Sequence, residues 1–232
     1  EFRRCALPIC RVPVSVKIDA MDQGWMFKIP MQHRTGVGYV FNRDITDLEL
    51  IKQQHSDLVG ESINYNLLKW EPSETDTAWS QNVIALGLAS FWNEPLIGTS
   101  LELTSKSIVH FMKYYGKSGL YGQKSYNEWF NTQCDLIRTR IQSYYHYCKN
   151  NHNEFWKYVH EKSNRTDIHE KMLHLIHGGY TELLNKYPDL MWSQRDYEMT
   201  GMWMDIEGVN LDKTKLVRSL PSNEFYERLK LK

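Results

Sequence analysis

With 232 residues, 41% of them hydrophobic, the chain can bury one sizeable core, or one core with a helical annex. Its 28 Lys and Arg balance 28 Asp and Glu, and this zero formal charge excludes the basic excess expected of a nucleic-acid partner. No apolar run reaches the roughly 18 residues of a membrane span, and the amino terminus lacks a signal-peptide run, so a cytoplasmic location is expected.

The first dozen residues, Glu1 to Val12, show no clean period and are expected to be a cloning remnant or a disordered tail, since a common restriction site encodes Glu-Phe. Val14, Val16 and Ile18 alternate with polar residues and predict a half-buried strand. Trp25, Phe27 and Ile29 share one face of a second strand that Pro30 ends, and Val37 to Phe41 predict a third. Together these three predict an antiparallel sheet. Thr46-Asp47-Leu48-Glu49 reads as a capping box for a helix that Gly60 stops. Ile63, Tyr65 and Leu67 alternate as a further strand, Glu71 to Thr77 is a loop, and the apolar run Val83 to Leu86 predicts a short buried strand.

Beyond Thr99 the periodicity becomes helical. Leu101, Ile108, Met112 and Tyr115 form one stripe; Phe130, Cys134, Ile137, Ile141, Tyr144 and Cys148 form a second; Met172, Ile176, Tyr180, Leu183 and Tyr187 form a third. Ser222 predicts the cap of a last helix with Phe225 and Leu229. The fold class is therefore α+β, with a mixed sheet portion over residues 13–100 and a mainly helical region over 101–232. None of the four cysteines (Cys5, Cys10, Cys134, Cys148) belongs to a Cys-x-x-Cys pair, and no cluster has zinc spacing, so no metal is expected.

Two stretches carry the chemistry. The first is Gly24-Trp25-Met26-Phe27-Lys28-Ile29-Pro30, followed by Arg34-Thr35-Gly36-Val37-Gly38-Tyr39-Val40. The second runs from Asn82 through Ala85-Leu86-Gly87-Leu88-Ala89 to Glu94-Pro95-Leu96-Ile97-Gly98-Thr99-Ser100. In this order they resemble the flavin-dependent tryptophan halogenases, which carry Gly-Trp-x-Trp-x-Ile-Pro, Arg-x-Gly-x-Gly-Tyr-Val and Asn-x-x-Ala-Leu-Gly-x-Ala…Glu-Pro-Leu-Glu-Ser-Thr. Tyr126-Asn127, Ile137-Arg138, Tyr144-Tyr145-His146 and Phe155-Trp156 extend the resemblance to about residue 160.

The resemblance implies the carboxy-terminal half of a flavin monooxygenase-like protein about twice as long. In that family reduced FAD, supplied by a separate flavin reductase, reacts with oxygen and a halide ion to give hypohalous acid. A lysine then delivers the halogen to an electron-rich ring. The half holding that lysine and the Gly-x-Gly-x-x-Gly turn that seats FAD has no counterpart here, because Gly36-Val37-Gly38 lies within a strand. This chain by itself is expected neither to bind FAD tightly nor to turn over. Apolar surface left by such a truncation would favour a homo-oligomer.

By the same resemblance, Trp25, Phe27 and Pro30 stand at the tunnel wall, with Phe27 replacing the second tryptophan of the family. The main-chain amides of Thr99 and Ser100 stand where the family holds its halide. The family glutamate that helps deprotonate or stabilise the cationic ring is here Ile97, which supplies no carboxylate, and the serine after it is Gly98. Three outcomes stay open: impaired halogenation, a substitute base such as Glu94 or Glu102, or release of free hypohalous acid. Substrate residues carry no motif; Tyr187, Trp192, Tyr197 and Trp203 are candidates for stacking an indole-like or phenolic ring. The rival reading is a non-catalytic remnant that binds aromatics without turnover.

Overall fold

The computed structural model describes residues 16–60, 65–115, 120–150, 152–163, 166–187, 189–207 and 209. They fall into two compact units, one within residues 1–70 and 148–162, the other within 71–147 and 163–232. The expectations for Glu1 to Val12 and for the helix after Ser222 lie outside the described residues.

The first unit is the predicted antiparallel sheet, β1 (Lys17–Met21), β2 (Gly24–Pro30) and β3 (Thr35–Phe41), in the order β1-β2-β3. Val16 and Ile18 stay 55% and 43% exposed, so the alternation that marks this strand does not mark a buried face. On β2 both Trp25 and Met26 are buried, although they point to opposite faces, so both sides of the sheet are covered there. Phe27 pairs with Gly38 on β3, and its ring occupies the space that a Cβ at Gly38 would need. This close approach explains the glycine within a strand.

Helix α1 (Leu48–Val59) begins one residue later than the capping-box reading implies. Asp47 is the cap, its carboxylate accepting from the Glu49 N–H at 3.1 Å, while Thr46 is buried with its hydroxyl on Gln23. Gly60 ends the helix in the left-handed region at φ 77°, its N–H reaching the Ser56 carbonyl. Tyr39 on β3 donates to Gln54, tying the helix to the sheet. No strand forms over residues 65–70: the Tyr65 hydroxyl donates to the Lys52 carbonyl of α1 instead. The same unit includes α4 (Glu154–Ser163) through residue 162, and the Trp156 indole N–H donates to the Met21 carbonyl at the end of β1.

In the second unit a short strand β4 (Ser73–Glu74), inside the predicted loop, pairs with β7 (Phe91–Trp92). Strands β5 (Trp79–Ser80) and β6 (Val83–Ile84) form a hairpin. Val83 is 64% exposed, so the predicted buried strand shrinks to two residues at the surface. Helices α2 (Thr99–Tyr115) and α3 (Leu120–His146) pack on each other. Tyr126, Trp129, Phe130, Gln133 and Ile137 of α3 are fully buried. The α2 stripe read from the sequence is the wrong face. Leu101, Ile108, Met112 and Tyr115 are exposed, and Thr99, Leu103, Ser107 and His110 are buried. The physical reason is ring packing: His110 stacks on Trp129 with centroids 3.9 Å apart and planes 12° off parallel.

On α3, Cys134 is buried as a packing residue, whereas Cys148 lies beyond the end of the helix and is half-buried. The third stripe is buried at Met172, Ile176, Tyr180 and Tyr187 but is not one helix. Helix α5 (Thr166–His174) passes through a wide π turn over Leu175–Gly179, kinked at Gly178 with φ 125°, into α6 (Tyr180–Lys186). Helix α7 (Gln194–Trp203) follows, with a capping box between Ser193 and Asp196.

Candidate functional site

The second signature folds into a strand, a turn and a helix start. After β7, the Asn93 side chain accepts from the Glu94 N–H at 2.8 Å. Pro95 to Gly98 then turn, closed by Gly98 N–H to the Pro95 carbonyl at 3.1 Å, and Gly98 adopts φ 63°, a conformation that favours glycine. Thr99 and Ser100 are the first two residues of α2. Their amides therefore lie at a helix amino terminus, where N–H groups lack intrahelical partners and the helix dipole favours an anion.

Beside this turn opens a cleft of about 360 Å³ lined by β4, β7 and one face of α3, with Glu74, Trp92, Glu94, Arg138, Ile141 and Tyr145 on its walls. Arg138 pairs with Glu74 across the cleft and with Asp135 along its own helix. Tyr145 Oη donates to Glu94 Oε2 at 2.5 Å. The other oxygen, Oε1, is closed off from solvent and accepts no hydrogen bond among the described residues. Burial pushes the Glu94 carboxyl up to about 7, against the Tyr145 hydrogen bond, which lowers it. A carboxyl that changes charge near neutrality, set in an aromatic-walled cleft, has the properties of an acid–base group.

A family model for tryptophan halogenase matches residues 10–214. The chain belongs to the tryptophan halogenase family. It is 27% identical over 143 residues to tryptophan 7-halogenase RebH from Lentzea aerocolonigenes, covering 60% of this chain and 27% of that protein. It is 24% identical over 151 residues to tryptophan 6-halogenase SttH from Streptomyces toxytricini, covering 63% of this chain and 29% of that one. The fold matches the tryptophan halogenase structure from Shewanella frigidimarina at a TM-score of 0.74 and 16% identity, over 98% of this chain and 43% of the other. The SttH structure matches at a TM-score of 0.71 and 18% identity, over 97% and 45%. The chain thus spans under a third of the curated relatives it aligns with and under half of these solved structures.

Within this family frame the residues expected from the sequence can be placed. Trp25, buried, and Phe27, half-buried, stand on β2 with ring centroids 6.0 Å apart, and Pro30 is its last residue. Ile97 sits half-buried in the turn and is not among the cleft-lining residues; Thr99 is buried and Ser100 half-buried. Of the two carboxylates expected as candidates for a substitute base, Glu94 lines the cleft, whereas Glu102 is an exposed residue in the first turn of α2. Among the aromatic candidates Tyr197 and Tyr187 are core residues, Trp192 lies half-buried under the Arg140 guanidinium, and Trp203 is 78% exposed.

Arg138 and Tyr145 enter the sequence reading only within the family-like pieces Ile137-Arg138 and Tyr144-Tyr145-His146. Their spacing with Ile141 puts all three on one helix face, but nothing in the sequence sets that face against a glutamate 51 positions away. No group of three metal-ligating side chains occurs among the described residues, and no helix there is long and apolar enough to cross a membrane. The Gly36-Val37-Gly38 stretch does not form an FAD pyrophosphate seat. Gly36 and Gly38 are inside β3, and Gly38 is covered by the Phe27 ring instead of opening onto a helix amino terminus.

Proposed function

We propose that this chain is the carboxy-terminal part of a flavin-dependent halogenase whose full-length form halogenates an electron-rich aromatic such as tryptophan, an indole or a phenol. The reading is carried by the family match over residues 10–214, within which the Glu94-Pro95-Leu96 turn leads into the helix that starts at Thr99. Reduced FAD from a separate reductase, with oxygen and halide, would supply hypohalous acid in the full-length protein. The amides of Thr99 and Ser100 would hold the halide, and Trp25, Phe27 and Pro30 would wall the oxidant's path. The 232-residue chain by itself neither binds FAD tightly nor turns over, and the protein works in the cytoplasm.

The experiment joins this chain to the amino-terminal half of a family member and supplies a flavin reductase, with bromide or chloride and tryptophan, indole or phenol. Halogenated product carrying the added halide supports the reading. Ile97 at the position of the family glutamate favours the rival, an aromatic-binding remnant. Formation of neither hypohalous acid nor halogenated product, in a folded joined protein with FAD bound, would establish it.

A further inference from the structure

The turn that carries Ile97 holds another carboxylate three residues earlier, and its surroundings are hard to explain by packing alone. Glu94 keeps one oxygen on the Tyr145 hydroxyl and the other buried without a donor among the described residues. A purely structural polar residue at this position would be expected to satisfy both of its ends, since an unmet buried acceptor is costly. The cleft in front of the pair is lined by the aromatic Phe91, Trp92 and Tyr145 beside the aliphatic Ile141. Its charged groups are Glu74 on β4 and Arg138 on α3, and they neutralise each other.

We propose that Glu94 and Tyr145 are the proton-accepting pair of this site, replacing the carboxylate absent at Ile97, with the ring that loses its proton held in this cleft. The assignment rests on the halogenase reading above. The halogen donor is hypohalous acid: a ring π pair forms the carbon–halogen bond, the oxygen–halogen bond breaks, and its pair leaves as hydroxide. The cationic ring gives its C–H proton to Tyr145 Oη while the phenol's own proton moves to Glu94 Oε2, and the C–H pair restores the aromatic ring. Glu94 then returns its proton to the hydroxide as water. The carboxylate form is the active one, so the rate rises with pH through the titration of Glu94; Glu74, Arg138 and Tyr145 are the other charged or titratable groups facing it.

The test begins with the chain as it stands, labelled with carbon-13 at the glutamate carboxyl. One resonance should titrate near neutrality, vanish in Glu94→Gln, move to higher pH in Tyr145→Phe, and shift when 5-fluoroindole is added. Titration of Glu94 in the ordinary carboxylate range, or a resonance blind to fluoroindole, overturns the proposal. In the joined full-length protein, Glu94→Gln should lower ring halogenation about 10²–10⁴-fold, while hypohalous acid trapped by an added β-diketone stays at the unsubstituted level. Halogenation undiminished in Glu94→Gln also overturns it. A joined protein that makes no hypohalous acid sinks the halogenase reading instead, and the carboxyl titration then decides the pair on its own.

Discussion

Strand β2 and the turn from Glu94 to Gly98 both come from family signatures, yet they treat their key side chains in opposite ways. On β2 the indole of Trp25 is buried, and Phe27, expected where the family has a second tryptophan, lays its ring over Gly38. Exchanging one flat apolar ring for another costs little where the pocket asks only for shape. At the turn, the half-buried Glu94 keeps one carboxyl oxygen closed off from solvent and unmatched among the described residues. That arrangement is costly, and it lies three residues before Ile97, the position at which the resemblance leads one to expect a glutamate. A packing site tolerates exchange within a chemical type; a site holding a carboxyl with an enclosed, unmatched oxygen points to its chemistry.

The two units can be told apart by how they break. Trp129→Ala should destabilise the second unit by about 3–5 kcal/mol, because it removes a fully buried ring and the surface on which His110 stacks. Trp25→Ala should cost the first unit a similar amount. Denaturant unfolding followed by residue-resolved NMR checks whether each loss stays in its own unit. A loss shared equally by both would show that they unfold as one.

A smaller effect separates two buried titratable groups within the second unit. Glu94 is pushed up to about 7 by burial, so the folded state binds a proton that the unfolded state has released, and its contribution to stability falls as pH rises toward 7. His110 is pushed down to about 4, chiefly by burial, so its neutral form is the one that packs, and stability is lost as pH falls from about 6.5 toward 4. Thermal midpoints of wild type and Glu94→Gln across pH 4 to 8 check the sign: the variant should gain relative stability as pH rises. The smallest effect expected is that of Asp47→Ala, which removes one cap bond and should cost about 1 kcal/mol in the first unit.

Much of this molecule can be read from residue spacing. The three-strand sheet, the α1 stop at Gly60 and the buried stripe of α3 follow from alternation, a glycine and a three-to-four repeat. The α2 face does not follow, because a stripe of Leu101, Ile108 and Met112 is as good a core face as any until a neighbour is present. Trp129 supplies that neighbour from α3, stacking on His110 of α2. Tyr65 was misread for a related reason: alternation over a few residues cannot compete with a hydroxyl that finds a carbonyl on α1.

The sequence by itself carried the family resemblance and the expectation that Ile97 stands where the family has a glutamate, since both depend on the order and identity of neighbouring residues. Only the tertiary structure decided that Glu94 meets Tyr145, that Arg138 answers Glu74, and that a cleft lies before them. Such meetings join residues 51 and 64 positions apart. A chain's local chemistry sets which side chains are present, but solvent exclusion and cross-helix geometry set which of them share a low-dielectric site and so what their protons do.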